Sequence, residues 1–207
     1  MAQVKKPKLR QAILSASFSL FSASGYHNTT IAQIAKQAKV STANVYSYFP
    51  SKMHILYAIY EPWLLGRLDE LDASLKRVTS PRSRVYRILH TLWCDIPADD
   101  NAFANNFIQA IATTDPSKGY RPELLRATLQ RVTVMLLTSL PEDRRGRASV
   151  TRIANVVMMA FDGYVIGRHL NPRRDCDHGT IHLFVDLLAG PESSKSKPSQ
   201  PKTSRRA

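Results

Sequence analysis

The chain has 207 residues, 43% of them apolar, which is enough for one medium domain or two small ones around a real core and excludes wholesale disorder. Its formal net charge is +13, spread as +7 over residues 1–60, where no aspartate or glutamate occurs, +2 over 61–189 and +4 over 190–207. Basic ends of this kind point to a polyanionic partner, nucleic acid ahead of an acidic lipid surface.

The two cysteines, Cys94 and Cys176, form no CxxC pair, so they imply no disulfide framework and suit a reducing, cytoplasmic setting. Lys5, Lys6, Lys8 and Arg10 ahead of Ala12–Ala23 imitate a secretory signal. Serines at 15, 17, 19, 22 and 24 interrupt the supposed apolar stretch, however, and Leu9, Ile13, Ala16, Leu20 and Phe21 recur at helical spacing. The longest near-continuous apolar run, 156–161, is too short to span a bilayer, so no membrane partner is expected.

Periodicity and punctuation predict an all-α chain of about nine helices. The first runs from Pro7 to Ser24 and stops at Gly25. Thr30, with Gln33 three residues on, opens the second as a capping box, and Ile31, Ile34, Ala35 and Ala38 form its apolar stripe. Ser41 caps a third over Thr42–Tyr48, and Pro50-Ser51-Lys52 starts a fourth that continues to about Val78 with a kink at Pro62. Prolines then divide helices near 82–96, 100–114, 122–139, 143–169 and 178–189. Beyond Gly190 the sequence lacks apolar periodicity and reads as a disordered basic tail.

Helices over 31–37 and 42–48 are too short to stand alone, so Ile13, Phe18, Leu20, Phe21, Ile34, Ala35, Val40, Val45, Phe49 and Leu56 are expected to bury them. The pair reads as a helix-turn-helix. Its second helix would offer Thr42, Ala43 and Asn44, with Ser47 a turn later, to base edges in a major groove.

The order Gly25-Tyr26, Thr29-Thr30, Ile34-Ala35, Ala38, Val40-Ser41, Tyr46, Tyr48-Phe49, Ser51-Lys52 and Leu56, behind a first amphipathic helix, closely resembles the N-terminal domain of TetR-type transcriptional regulators. The resemblance covers about residues 9–56. It implies that Thr30, Tyr46, Tyr48 and Lys52 contact DNA phosphates, orienting the module without reading sequence. The commonest family sequence has glycine where Lys39 and Ala43 stand here. Lys39 is therefore expected in a left-handed conformation at a cost of about 1 kcal/mol, with its charge toward phosphate. Ala43 adds a methyl and so alters what the helix reads. Residues 1–6 form a basic arm, 7–52 the DNA-binding domain, and 53–189 the regulatory domain of a homodimer that binds a small-molecule effector.

The sequence allows that assembly. Ile153, Val156, Val157, Ala160, Phe161, Tyr164 and Val165 form one apolar stripe, and Ile181, Leu183, Phe184, Leu187 and Leu188 a second. Val157, Phe161, Tyr164, Phe184 and Leu188 are the expected dimer contacts. Trp63, His90, Trp93, Phe103, Phe107 and Met135 are expected to enclose the effector, which would shift the population toward a state whose reading heads misfit the operator. Neither a phosphate loop, a nucleophile motif nor an acid pair suggests catalysis or a cofactor. Two rivals stand beside the operator-specific repressor: a nonspecific DNA-coating protein, and a metal-responsive regulator using Cys176, His178 and His182.

Overall fold

The computed structural model describes residues 7–99, 103–113, 122–171, 173 and 176–191. The basic arm and all but the first two residues of the tail lie outside that set. Among the described residues there are nine helices and no strand. They are α1 (Pro7–Asn28), α2 (Ile31–Gln37), α3 (Thr42–Tyr48), α4 (Lys52–Leu75), α5, α6 (Phe103–Thr113), α7 (Pro122–Ser139), α8 (Arg147–Leu170) and α9 (His178–Ala189). α5 is one rod that runs Pro81–His90, passes through a π turn at Thr91–Asp95 and continues to Ile96–Ala98.

The N-terminal helices follow from local chemistry. α1 is broken at Gly25, whose backbone (φ 77, ψ 163) only glycine adopts cheaply. The residues on either side of this break bury Ile13, Leu14, Ser17, Phe21 and Tyr26. Thr30 and Gln33 form the capping box of α2, and the Ser41 and Ser51 hydroxyls accept from Asn44 N and His54 N to start α3 and α4. Each such cap contributes about 1 kcal/mol. The expected core residues are buried or half-buried with one exception. Phe18 is exposed on the flank of α1, its ring 6.5 Å from that of Tyr60, because Leu14, Ser17 and Phe21 already fill the inner face.

α4 passes through Pro62 as a single helix and carries a buried row, Leu64, Leu68, Leu71 and Leu75, into the helical body. There Trp93 is almost wholly buried. Its indole Nε1 donates to Val157 O (3.0 Å), its ring stacks on Tyr164 (5.5 Å), and Phe184 meets it edge-on (5.1 Å). α5, α8 and α9 are thereby packed around one indole.

Two sequence expectations are corrected here. The stretch Ser149–Leu170 of α8 is, by length and composition, long and apolar enough to cross a membrane, which the short run at 156–161 concealed. Its apolar residues are dispersed around the helix instead of contiguous, and those on one side, Val150, Ala154, Val157, Phe161 and Val165, are buried in the body. The cysteines are joined as a disulfide, Cys94 to Cys176, with Cα atoms 5.4 Å apart. Sequence spacing gave no sign of this, because the fold folds 82 residues back to bring the π turn of α5 against the segment before α9.

Candidate nucleic-acid interface and its link to the helical body

α3 is held in place by Val45, fully buried, and by Phe49 at its end. With that face inward, Thr42, Ala43, Tyr46 and Ser47 point out, and Tyr46 is 54% exposed. Asn44 lies on the shoulder, half-buried, its backbone engaged by Ser41 Oγ (3.1 Å) and by Ser47 Oγ, which donates to its carbonyl at 2.7 Å. Tyr46 thus shares the outward face with the expected base-reading set. Tyr48 is half-buried with its ring 6.5 Å from that of Phe49.

Lys39 adopts φ 56, the left-handed conformation expected at this turn, and its side chain is exposed. Arg10 lies over the Phe49 ring at 5.4 Å. With Lys36 also exposed and no acid before Glu61, the surface of α1–α3 carries one sign of charge. An anionic backbone meets no local repulsion there.

Two of the five residues expected on phosphate also make hydrogen bonds within the chain. The Thr30 hydroxyl is exposed but accepts from Gln33 N (3.2 Å) and donates to Gln33 Oε1 (2.9 Å). The Lys52 ammonium donates to Tyr26 O (2.6 Å) and Thr29 O (2.7 Å), reaches His27 O at 3.4 Å, and lies 4.2 Å from the centre of the Tyr26 ring. Lys52 thereby ties the C-terminal end of α1 to the start of α4. Burial pushes its pKa below the ordinary lysine value.

A second joint was invisible in the sequence. The amide of Gln109, on α6, accepts from His27 N at 2.8 Å and donates to Asn105 Oδ1 at 2.6 Å. A Cβ at Gly25 would stand 2.7 Å from Gln109 Oε1, so the glycine serves both the backbone and the side chain packed over it. The reading head is keyed to α6 across 82 residues.

The six expected effector residues do not converge. Trp63, Phe103 and Phe107 join Tyr60 in an aromatic cluster between α4 and α6, with Trp63–Phe103 and Phe103–Phe107 centroids each 4.7 Å apart. Trp93 belongs to the α8–α9 packing described above, and Met135 is buried in α7. His90 lines two surface clefts, one of 620 Å³ with Arg82, Tyr86, Arg87 and His182, the other of 240 Å³ with Trp93 and both cysteines. Large rings at helical spacing fill one another's space before they enclose a ligand.

Within the aromatic cluster one polar group is left over. Asn106 is fully buried and its Nδ2 donates to Tyr60 Oη (3.0 Å), while its Oδ1 has no hydrogen-bond partner. Desolvation raises the Tyr60 pKa, with the Asn106 contact opposing. An unpaired buried carbonyl costs about 1–3 kcal/mol, and nothing in the sequence marked it.

The expected dimer contacts also move. Val157 is 1% exposed and Phe161 6%, and Tyr164 and Phe184 flank Trp93, so these side chains serve the subunit's own core. The outward apolar residues of the same helices are one position or one turn away: Val156, Met159 and Ile166 on α8, Leu183 and Leu187 on α9, with Met159 72% and Leu187 62% exposed. Leu188 is half-buried. Both stripes were wide enough to serve core and surface, and the sequence did not say which edge faced in.

The metal-ligand trio expected of α9 is rearranged. Cys176 and His178 are grouped with His90, while His182 packs on Tyr86 at 5.1 Å between ring centres. Asp177 caps α9, accepting from Thr180 N at 3.0 Å.

Comparison with known proteins agrees with this arrangement. Residues 13–59 match the family model of bacterial regulatory proteins, tetR family. The HTH-type transcriptional regulator HbdR of Aromatoleum sp. (strain CIB) is 40% identical over 94 residues, 44% of this chain and 40% of that one, so the chain spans well under half of this relative's length. The HTH-type transcriptional regulator BetI of Brucella anthropi is 27% identical over 188 residues, covering 89% of this chain and 93% of its own. Among solved structures, the FadR transcriptional regulator of Bacillus subtilis in complex with stearoyl-CoA superposes with a TM-score of 0.59 at 16% identity, covering 88% of this chain and 99% of that one.

Proposed function

The chain belongs to the TetR family of bacterial transcriptional regulators, and from that premise we propose that it is a homodimeric repressor released from a palindromic operator by a small-molecule effector. The observation that carries the reading is the outward face of α3: Thr42, Ala43, Tyr46 and Ser47 stand exposed on a capped, core-anchored helix within an acid-free surface. Charge supplies affinity for any DNA, and this short polar and methyl-bearing face supplies the choice among sequences. Thr42, Ala43, Asn44 and Ser47 read bases, and Lys39, Tyr46 and Tyr48 face phosphates.

Two such faces read half-sites one helical turn apart only if the subunits are related by a twofold axis, which the outward apolar residues of α8 and α9 support. The effector site we assign is the aromatic cluster between α4 and α6. Asn106 Oδ1 awaits a hydrogen-bond donor there, and an apolar ligand body would separate the packed rings. Gln109 lies one turn further along α6 and grips α1 at Gly25 and His27, so a shift of α6 reaches the reading head directly. A structural neighbour with stearoyl-CoA bound is consistent with a largely apolar ligand.

The deciding experiment titrates the protein against its own upstream intergenic DNA and a scrambled duplex at fixed salt. The operator is expected to bind about a thousandfold more tightly. Asn44→Ala should cost about 1–3 kcal/mol on the operator alone. Equal binding of the two duplexes would replace the repressor with a nonspecific DNA-coating protein.

A further inference from the structure

Between the π turn of α5 and the start of α9, chemistry is concentrated that DNA binding does not use. His90, Cys176 and His178 each offer one ligand atom, and these atoms lie within 4.8 Å of one another. Cys94 brings a fourth donor, because its sulfur is bonded to that of Cys176. The four residues come from two separate elements, α5 and the segment entering α9, which the sequence keeps more than 80 positions apart.

The surroundings of the two imidazoles match those of metal ligands. His90 Nδ1 lies 3.2 Å from the Asp95 carboxylate, and His178 Nδ1 lies 3.0 Å from Tyr86 Oη. Each ring therefore has one nitrogen oriented by an oxygen partner, leaving Nε2 for a cation, the pattern in which an outer carboxylate or hydroxyl fixes the tautomer of a ligating histidine. The rings stand together already, His90 and His178 with centroids 5.4 Å apart and Tyr86 5.6 Å from His90. His90, Cys94 and Cys176 line a 240 Å³ cleft, so an ion has a route to them.

We propose that Cys94, Cys176, His90 and His178 form a redox-gated site for a borderline-soft divalent cation of the zinc class, which the dithiol form binds and the disulfide form excludes. Two thiolates and two imidazoles are the donor set of a closed, four-coordinate zinc site. Metal–sulfur bonds of about 2.3 Å and metal–nitrogen bonds of about 2.0 Å place such donors roughly 3.3–3.8 Å apart. The atoms of His90, Cys176 and His178, all within 4.8 Å of one another, would close by about 1.5 Å at most, within reach of side-chain rotation. The disulfide itself blocks the site, since sulfurs bonded to one another cannot both act as thiolate ligands.

The chemistry balances. A dithiol reductant delivers two electrons and two protons to the Cys94–Cys176 bond, giving two thiols while the reductant becomes a disulfide. Cation binding then releases the two thiol protons to water. In either state the α5 π turn is clamped to the segment leading into α9, whose outer surface carries Leu183 and Leu187.

The test uses the full-length chain with its disulfide intact and, separately, after reduction by a phosphine without oxygen. The reduced protein should take up one Zn(II) per chain in competition with a chromophoric chelator. With Co(II) it should show thiolate-to-metal charge transfer and the strong visible absorption of tetrahedral coordination, and the oxidised protein should show neither. Cys176→Ser should abolish the charge-transfer band. Asp95→Asn and Tyr86→Phe, which keep all four ligands, should weaken zinc binding about tenfold while retaining that band. His182→Gln should change nothing, which separates this site from one built on the two histidines of α9. Circular dichroism establishes that each variant is folded. The proposal is overturned if the folded, reduced wild-type chain takes up no metal, if both redox forms take it up equally, or if the charge-transfer band survives Cys176→Ser.

Discussion

In the reading head the ties that start each helix run over three residues, Thr30 to Gln33, Ser41 to Asn44 and Ser51 to His54, and longer ties from Lys52 and Gln109 only fasten its edge. In the helical body the defining ties run across 46 residues from Tyr60 to Asn106, 64 from Trp93 to Val157 and 82 between the cysteines. The head is thus specified locally, with each short helix carrying its own start signal, and its outer face is left polar and free to read. The body is specified by packing, and what it leaves over is apolar surface, one unpaired amide oxygen and a cluster of sulfur and imidazole. Substitutions that act on one region while sparing the other sharpen this contrast, and those that spread break it.

The largest effect is expected where the body's apolar surface is charged. Met159→Glu with Leu183→Glu should move the chain from dimer to monomer, because each buried carboxylate costs about 3 kcal/mol or more, over a hundredfold in the dimer dissociation constant. Light scattering after size exclusion reads the mass, and far-ultraviolet circular dichroism should show the head and body still helical. A dimer that persists at micromolar concentration would assign these residues to some other surface. Val157→Glu, by contrast, should unfold the subunit, since that side chain is already enclosed.

Next in size is Gly25→Val. The position has φ 77, where a β-branched residue is strained by about 1–3 kcal/mol, and the new side chain meets the Gln109 amide. Urea unfolding should shift by at least that amount, with operator affinity falling because α1 leaves α6. Gln109→Ala is the finer probe. It should leave the fold nearly intact and weaken the effect of ligand on DNA binding, whereas an unchanged ligand response would mean that the signal crosses to the head by another route, such as α4.

The extent to which the sequence foretold these features follows the same divide. The bounds of α3, α7 and α9, the capping box at Thr30 and the break at Gly25 were all readable, because each depends on residues within one or two turns, whereas the left-handed turn at Lys39 was expected from the resemblance to TetR-type regulators. The disulfide, the Gln109 joint and the unpaired Asn106 oxygen were not, because each is a meeting of distant segments and no period or spacing encodes it. The stripes on α8 and α9 fall between. Their amphipathic character was plain, but a wide stripe leaves the direction of Val157 against Val156 to be settled by Trp93, a residue more than 60 positions away.

Lys52 tests whether the head's charge is structural or electrostatic at one point. Lys52→Ala removes the donor to the carbonyls of Tyr26 and Thr29 and should cost about 1–3 kcal/mol of stability. The logarithmic dependence of DNA binding on salt should stay the same. A slope reduced by about 1 would instead show the ammonium neutralising a phosphate and would erase the distinction drawn here between scaffold and reading surface.

The smallest effect concerns Asp162, which lies on the outward side of α8 between Met159 and Ile166. Desolvation by its neighbours pushes its carboxyl above the ordinary value of 3.8, and a partner subunit packed on that side would push it further. A carboxyl whose pKa is raised by folding or assembly gives stability that is fully present below the unfolded value and is lost as pH rises through the folded one. The dimer should therefore tighten modestly on acidification from about pH 7 towards pH 4, and Asp162→Asn should remove that trend while strengthening the dimer at neutral pH. The residue keeps solvent contact in the single subunit, so the effect on subunit stability alone should be slighter than the effect on association. Equal pH dependence of unfolding and dimerisation would place Asp162 outside the subunit contact, and with it the outer stripe of α8.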